Sequence, residues 1–186
     1  MGNAMSRHEM EKVKYCRDYE HSNIVTTIYS VLSNYQIEAM CECASWLLRE
    51  ILLTYKKYKE TDVDLLCSTV NGKYHVFVFD KVQHYYIDIT SEQFEDTMGN
   101  QIQPCMGTKN IDDFVQLGYS ITGENTNEVC ASFCKESCVV YDNDNPITRM
   151  QLLDQIKYRL GMKGGKTRQR RRRKLHNHRK SNQCFT

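Results

Sequence analysis

The chain has 186 residues and a formal net charge of +2, from 25 Lys and Arg against 23 Asp and Glu. It contains no apolar run near the roughly 20 residues that a membrane-spanning helix needs, which excludes a helical membrane protein. The polar N-terminus has none of the features of a signal peptide. We therefore expect an intracellular protein whose nine cysteines are mostly reduced thiols.

The first six residues, MGNAMS, match the pattern for N-myristoylation, with Gly2 as the acceptor. The alternative is a cloning remnant, with Met5 as the true start. A single acyl chain anchors a protein only marginally. Membrane association through Gly2 would therefore need a second signal, which the basic residues near the C-terminus would supply.

Apolar residues at helical spacing predict helices over residues 7–18, 22–33 and, most strongly, 37–58. The period then changes to that of strands, over residues 63–70, 73–80 and 84–90. Asn71 and Gly72 stand between the first two strands, which is the strongest short-range hairpin signal. Further helices are predicted over residues 110–117, 126–138 and 147–160, the last starting at Asn145-Pro146. These elements predict an α+β domain in which a long helix packs on a small antiparallel sheet, with additional helices.

Basic residues are concentrated near the C-terminus. Ten of the 25 lie between Lys163 and Lys180, where there is no acidic residue, so the rest of the chain carries a net charge of −8. This segment has no apolar period, and Gly161, Gly164 and Gly165 mark a linker before it. We therefore predict a folded domain over residues 1–162 and a disordered arginine-rich tail over residues 163–186.

The second and third predicted strands carry His75 and Asp88. If the loop between the strands covers residues 81–82 or 80–83, the two residues lie directly opposite each other, with Cβ atoms about 5 Å apart. Phe77 and Phe79 share the face of His75 by alternation, so the pair should be partly buried. A carboxylate beside an imidazole fixes its tautomer and stabilises its protonated form. The pair is thus a candidate for proton transfer, with an ordinary cross-strand polar pair as the alternative.

A nucleophile for such a pair is predicted in the first turn of the long helix, where unpaired backbone amides and the helix dipole favour a thiolate. At 100° per residue, Cys41 lies within about 60° of the apolar stripe of Ala44, Leu48 and Leu52 and faces the sheet. Cys43 lies about 160° away from it. The alternative is that Cys41 is a small buried core residue, as free cysteines often are.

The order Cys, His, Asp along the chain resembles that of the transglutaminase branch of the papain-like cysteine hydrolases. The helix start Cys41-Glu-Cys-Ala-Ser45 is similar to their Cys-x-x-Ala-Ser signature, and Asp88-Ile-Thr-Ser-Glu-Gln-Phe94 is similar to their Asp-x-Thr-x-x-Gln-Phe strand end. The resemblance covers residues 36–95, about half of the chain. Two departures are Ala39-Met40, where such proteins usually have Gly, and the second thiol at Cys43.

The resemblance implies a papain-like/transglutaminase-like core that acts as a thiol hydrolase or acyltransferase on an amide, isopeptide or thioester of a protein or peptide substrate. Cys41 would attack the carbonyl, His75 would shuttle the proton, and Asp88 would orient His75. The backbone amide of Cys41 and the side chain of Gln36 would stabilise the oxyanion, although a solvated Gln36 is the alternative. Neither a cofactor nor a metal is implied.

Cys130, Cys134 and Cys138 fall on one face of the predicted helix over residues 126–138, where two of them could ligate a metal. Structural zinc sites use shorter spacings between their ligands and a second pair of ligands. Only His176 and His178 in the tail could supply such a second pair. Packing as small core residues is therefore the preferred interpretation.

The tail segment KTRQRRRRKLHNHRK resembles arginine-rich RNA-binding and nuclear-import peptides. Its basic residues are suited to bind RNA phosphates, an anionic membrane or a nuclear import receptor. The residues predicted to make these contacts are Arg168, Arg170, Arg171, Arg172, Arg173 and Lys174. The alternative to an enzyme is thus an accessory protein that binds nucleic acid or membranes and keeps a degenerate papain-like core. An N-terminus that can be acylated, a cysteine hydrolase-like core and an arginine-rich tail together suggest a viral or host-directed protein of the host cytoplasm or nucleus.

Overall fold

The computed structural model describes residues 16–37, 40–125, 140–142 and 145–162. Its helices are α1 (Ser22–Leu32), α2 (Met40–Tyr55), α3 (Asp112–Gln116) and α4 (Arg149–Arg159). Its strands are β1 (Gln36–Ile37), β2 (Val63–Val70), β3 (Lys73–Asp80), β4 (Tyr85–Asp88), β5 (Met106–Thr108), β6 (Tyr119–Asn125), β7 (Val140–Asp142) and β8 (Asn145–Ile147). The fold is mixed α and β, as predicted. The predicted helix over residues 126–138, most of the one over residues 7–18, and the tail from residue 163 lie outside the described residues.

Five strands form one antiparallel sheet in the order β5-β4-β3-β2-β6. Strands β2 and β3 pair over their whole length, from Val63 opposite Asp80 to Val70 opposite Lys73. The turn residues Asn71 and Gly72 have φ angles of 51° and 75°, the left-handed conformations that a two-residue hairpin turn requires. The predicted bounds of both strands agree with the structure.

The register between β3 and β4 differs from the predicted one. Asp80 is paired with Tyr85, so the loop covers residues 81–84. The loop is closed at its start by the carboxylate of Asp80, which accepts a hydrogen bond from the backbone of Gln83 at 3.1 Å, and His84 takes a left-handed φ of 51°. The pairing is thus shifted by two residues, and Asp88 is not directly opposite His75. A shift by two keeps every side chain on its own face, so the two residues still share one.

The main sheet carries a hydrophobic core on each face. On one face, Val76 and Val78 of β3 pack with the apolar stripe of α2, which includes Leu48, and with residues of α1 and α4. On the other face, Phe77 packs with residues of α3 and β6. Because His75 alternates with Val76 along the strand, it belongs to the Phe77 face. The apolar stripe of α2 therefore packs on the face of the sheet opposite to His75, and only the start of the helix, with Cys41, comes close to His75.

Three further strands form a second antiparallel sheet in the order β1-β7-β8. Two predicted helix bounds are wrong in this region. Ile37 lies in β1, and α2 begins at Met40 and ends at Tyr55. Pro146 lies in β8 rather than in a helix, which is tolerated because β8 is an edge strand. Helix α4 begins only after Thr148, which forms a capping box with Gln151.

Candidate active site

His75 and Asp88 form a buried hydrogen-bonded pair in the main sheet. The Nε2 atom of His75 lies 2.6 Å from Oδ2 of Asp88, and the two residues are 0% and 1% exposed. Directly opposed residues are not required for this contact, because diagonal neighbours on one face are also within reach of long side chains. A short bond between a carboxylate and an imidazole away from water is a strong, charge-assisted interaction.

The carboxylate of Asp88 is held on both oxygens. Its Oδ1 atom accepts a hydrogen bond from the backbone of Thr90 at 3.0 Å. Its Oδ2 atom, which contacts His75, also accepts a hydrogen bond from the hydroxyl of Tyr119 at 2.6 Å. Sequence reasoning missed Tyr119 because the strand β6 that carries it was not predicted. The aromatic and β-branched residues of Tyr119-Ser-Ile-Thr were the available signal for that strand.

The electrostatics of the pair favour a charged imidazole. Burial by itself opposes protonation of His75, but the charge of Asp88 and its hydrogen bond outweigh burial, and Cys41 adds a smaller contribution, which together raise the pKa of His75 to about 10. Burial, followed by the charge and the hydrogen bond of Asp88, also raises the pKa of Tyr119 well above its ordinary value. At neutral pH the imidazole of His75 is therefore charged and the phenol of Tyr119 is neutral.

Cys41 lies in the first turn of α2, close enough to His75 to contribute to the raised pKa of its imidazole. One turn later, the hydroxyl of Ser45 donates a hydrogen bond to the backbone carbonyl of Val76 at 3.1 Å, which fixes the helix start beside His75. Asp88 occupies Nε2 of His75, so Nδ1 is the nitrogen left to exchange a proton with Cys41. Nδ1 is buried and makes no hydrogen bond of ordinary geometry to the described residues.

Aromatic rings enclose the imidazole of His75. The ring of Phe94 meets it edge-on, with centroids 4.6 Å apart, and the ring of Tyr119 does so at 5.8 Å. The segment that carries the predicted Asp-x-Thr-x-x-Gln-Phe pattern thus supplies three parts of the site: Asp88, the Thr90 amide that holds it, and Phe94. Apolar enclosure strengthens the electrostatic interactions of the pair because it lowers the local dielectric constant.

Three of the other described thiols, Cys16, Cys43 and Cys105, are placed differently from Cys41. Cys43 is 0% exposed and belongs to the core between the sheet and the helices, whereas Cys41 is 7% exposed. Burial, followed by the charge of Asp88, raises the pKa of Cys16 to about 12. Burial likewise raises the pKa of Cys105 well above its ordinary value. The described cysteines are thiols rather than disulfide halves.

Other predicted site residues fall wholly or partly outside the described structure. The backbone of Gln36 pairs with Tyr141 in the second sheet, but its side chain is not described. Gly2, the basic residues from Arg168 to Lys174, and the cysteines of residues 126–138 all lie outside the described ranges. In residues 16–37, 40–125, 140–142 and 145–162, no group of three or more His, Cys, Asp and Glu side chains is placed to hold a metal ion. Among the described helices, none is long and apolar enough to cross a membrane.

Comparison with known proteins gave no match. No protein-family model, no curated protein and no solved structure matches the chain. The function must therefore be inferred from the geometry of Cys41, His75 and Asp88 and from the motifs that surround them.

Proposed function

We propose that the protein is a cysteine hydrolase or acyltransferase with a papain-like, transglutaminase-like core, in which Cys41, His75 and Asp88 form the catalytic triad. The proposed substrates are amides, isopeptides or thioesters of a protein or peptide. The observation that carries the proposal is the buried His75–Asp88 pair, 2.6 Å between Nε2 and Oδ2, with Cys41 interacting with the same imidazole from the start of a helix.

The resting state is an ion pair. Burial opposes a charge on His75, but the charge and the hydrogen bond of Asp88 outweigh it and raise the pKa of His75 to about 10. In the proposed resting state, the thiol proton of Cys41 has moved to Nδ1 of His75, which leaves a thiolate beside an imidazolium. Asp88 stabilises that imidazolium through Nε2. The thiolate is the nucleophilic form of cysteine.

Acylation follows from this arrangement. The Cys41 sulfur attacks the substrate carbonyl carbon, and the π electrons of the carbonyl move to its oxygen. The backbone amide of Cys41, which lies in the first turn of α2, is suited to stabilise that oxyanion because such amides lack a partner within the helix. When the tetrahedral intermediate collapses, the bond to the leaving group breaks and His75 gives the leaving group its proton. A thioester on Cys41 remains.

Deacylation uses the same groups in reverse. His75, now neutral, takes a proton from water or from an amine as that molecule attacks the thioester carbonyl. The carbon–sulfur bond then breaks, and the Cys41 thiolate returns beside the reprotonated His75. Water yields a carboxylic acid, and an amine yields a new amide. Hydrolysis, deamidation and cross-linking therefore share one acyl-enzyme and differ only in the leaving group and the acceptor.

The proposal is tested by trapping the acyl-enzyme. The full chain is incubated with a thioester, a glutamine-containing peptide and an isopeptide, quenched in acid, and examined by mass spectrometry for an acyl adduct on Cys41. We expect the adduct in the wild type and in Cys43→Ser, and none in Cys41→Ser. The proposal fails if no acyl group is found on Cys41, if Cys41→Ser keeps full turnover, or if the acyl group resides on Cys43.

A second candidate function is binding without catalysis. The cluster of ten basic residues between Lys163 and Lys180 supports it, because such a cluster neutralises several phosphates. In this alternative the protein binds RNA, an anionic membrane or a nuclear import receptor through residues that include Arg168 and Arg170 to Lys174, with N-myristoylation of Gly2 as an added anchor. The triad would then be a remnant, and His75 would titrate without affecting any turnover.

A further inference from the structure

Tyr119 reaches the His75–Asp88 pair from the far edge of the sheet. It begins strand β6 and lies opposite Val70 of β2, while Asp88 ends β4 two strands away from β2. Its side chain is 2% exposed, and its ring packs edge-on against His75. The hydroxyl donates to Oδ2 of Asp88 at 2.6 Å, the same oxygen and the same distance as for Nε2 of His75.

We propose that Tyr119 is a positioning residue of the site, whose hydroxyl shares Oδ2 of Asp88 with the His75 imidazole and so adjusts how strongly that imidazole retains its proton. This role deepens the proposed function. Only the effect of Tyr119 on catalysis rests on the proposed function. The effect on the proton affinity of His75 exists in the resting protein whether or not the chain is an enzyme.

The direction of the effect follows from comparing the two protonation states of His75. When His75 is protonated, Asp88 has a cationic partner and depends less on Tyr119. When His75 is neutral, Asp88 is a buried carboxylate without a counter-ion, and the bond from Tyr119 stabilises it more. Tyr119 therefore favours the neutral state of His75 relative to the charged one. It limits the rise in proton affinity that a buried carboxylate alone would impose.

This adjustment matters for acid catalysis. A general acid is most effective when its pKa lies near the working pH, and His75 must release its proton to the leaving group. A leaving amine needs that proton, whereas a leaving thiol departs more readily without it. Loss of the Tyr119 hydroxyl should therefore slow turnover of amides more than turnover of thioesters.

Other ionisable groups lie close enough to interact electrostatically with His75, Asp88 or Tyr119. They are Cys41 at the start of α2, Cys16 in the N-terminal segment, and Glu92 and Cys105 in the segment between β4 and β5. None of the hydrogen bonds found on the two oxygens of Asp88 comes from these four side chains; within the described residues, those bonds come from His75, Tyr119 and Thr90. Removing the Tyr119 hydroxyl therefore changes a donor that acts directly on the carboxylate.

The test measures the protonation of His75 by NMR in the full-length protein, with its imidazole signal assigned by its loss in His75→Gln. In Tyr119→Phe we expect the titration midpoint to move upward by about one pH unit. Replacement of Tyr119 by 3-fluorotyrosine, a more acidic phenol and a stronger donor, should move the midpoint downward. This second variant keeps the ring and its packing, so it remains informative if Tyr119→Phe folds poorly.

Tyr19→Phe is the matched control. Tyr19 is also buried, at 1% exposed, and its hydroxyl donates to a different buried carboxylate, Asp80, at 2.7 Å. Its loss should leave the His75 midpoint unchanged. The inference is overturned if the midpoint of His75 is unmoved or falls in Tyr119→Phe, if 3-fluorotyrosine moves it upward, or if Tyr19→Phe shifts it equally.

Turnover provides a separate readout. In Tyr119→Phe, we expect kcat for an amide substrate to fall about tenfold relative to kcat for a thioester, with KM little changed. An equal loss on both substrates contradicts the proposed catalytic consequence. If no substrate is turned over but the two midpoint shifts occur as expected, the proposed function fails while the role of Tyr119 in setting the proton affinity of His75 stands.

Discussion

His75 and Asp88 lie on the same face of neighbouring strands but two residues out of register, and their side chains meet diagonally at 2.6 Å. The diagonal contact leaves room on Oδ2 for the hydroxyl of Tyr119 and on Oδ1 for the backbone of Thr90. Hydrogen bonds thus satisfy both oxygens of this buried carboxyl group. Its charge and its hydrogen bond raise the pKa of His75, on which the proposed ion pair with Cys41 depends.

The raised pKa of His75 predicts how stability varies with pH. The folded value of about 10 lies above the ordinary value of 6.5, so the stabilisation is fully present below about pH 6.5 and is lost as the pH rises through about 10. We predict that the free energy of unfolding of the wild type falls over this range, and that the fall is much smaller in Asp88→Asn. Urea unfolding at a series of pH values measures it.

Asp80→Asn is the control for that experiment. Asp80 is a fully buried carboxylate on the same strand as His75, but its hydrogen bonds come from Tyr19, Tyr58 and the backbone of Gln83. This variant should be less stable than the wild type, but its free energy of unfolding should still fall between pH 6.5 and pH 10 about as much as that of the wild type. If Asp88→Asn and Asp80→Asn flatten the profile equally, the pH dependence does not arise from the His75–Asp88 pair.

Ser45 is predicted to hold the start of α2 in position for Cys41. Its buried hydroxyl bonds the backbone carbonyl of Val76, next to His75. Ser45→Ala should lower the free energy of unfolding by about 1 kcal/mol and slow alkylation of Cys41 several-fold. Thr54→Ala is the control, because the Thr54 hydroxyl bonds only the carbonyl of Glu50 within the same helix; it should change neither quantity appreciably.

The basic tail is predicted to bind phosphate-rich partners and to be dispensable for folding. Deletion of residues 163–186 should leave Tm within a few degrees of that of the full chain, because the segment has no apolar period to bury. Binding to RNA or to vesicles with an anionic lipid should be lost, and in the full chain it should weaken steeply as salt rises. Unchanged binding after deletion would show that the partner surface lies elsewhere.

Local signals in the sequence were sufficient to predict the β2–β3 hairpin and the shared face of His75 and Asp88. The Asn71-Gly72 turn defined the β2–β3 hairpin residue by residue, and alternation placed His75 and Asp88 on one face. The predicted register of β3 with β4 was wrong because the true register depends on the conformation of His84 and on the Asp80–Gln83 contact. Hydrophobic periodicity contains no information about either of them. The face covered by α2 and the contact of Tyr119 with Asp88 depend on tertiary packing between distant segments, so a pattern within one segment could not predict them.

The most direct test of the proposed site compares alkylation of Cys41 and Cys43 by iodoacetamide at pH 7, followed by peptide mass spectrometry. We predict that Cys41 reacts at least about tenfold faster in the folded protein, because it interacts with His75 while Cys43 is enclosed in the core. In urea the two thiols should react at similar rates, and His75→Ala should remove most of the advantage of Cys41. Equal rates in the folded protein, or a faster reaction at Cys43, would contradict the assignment of Cys41 as the nucleophile.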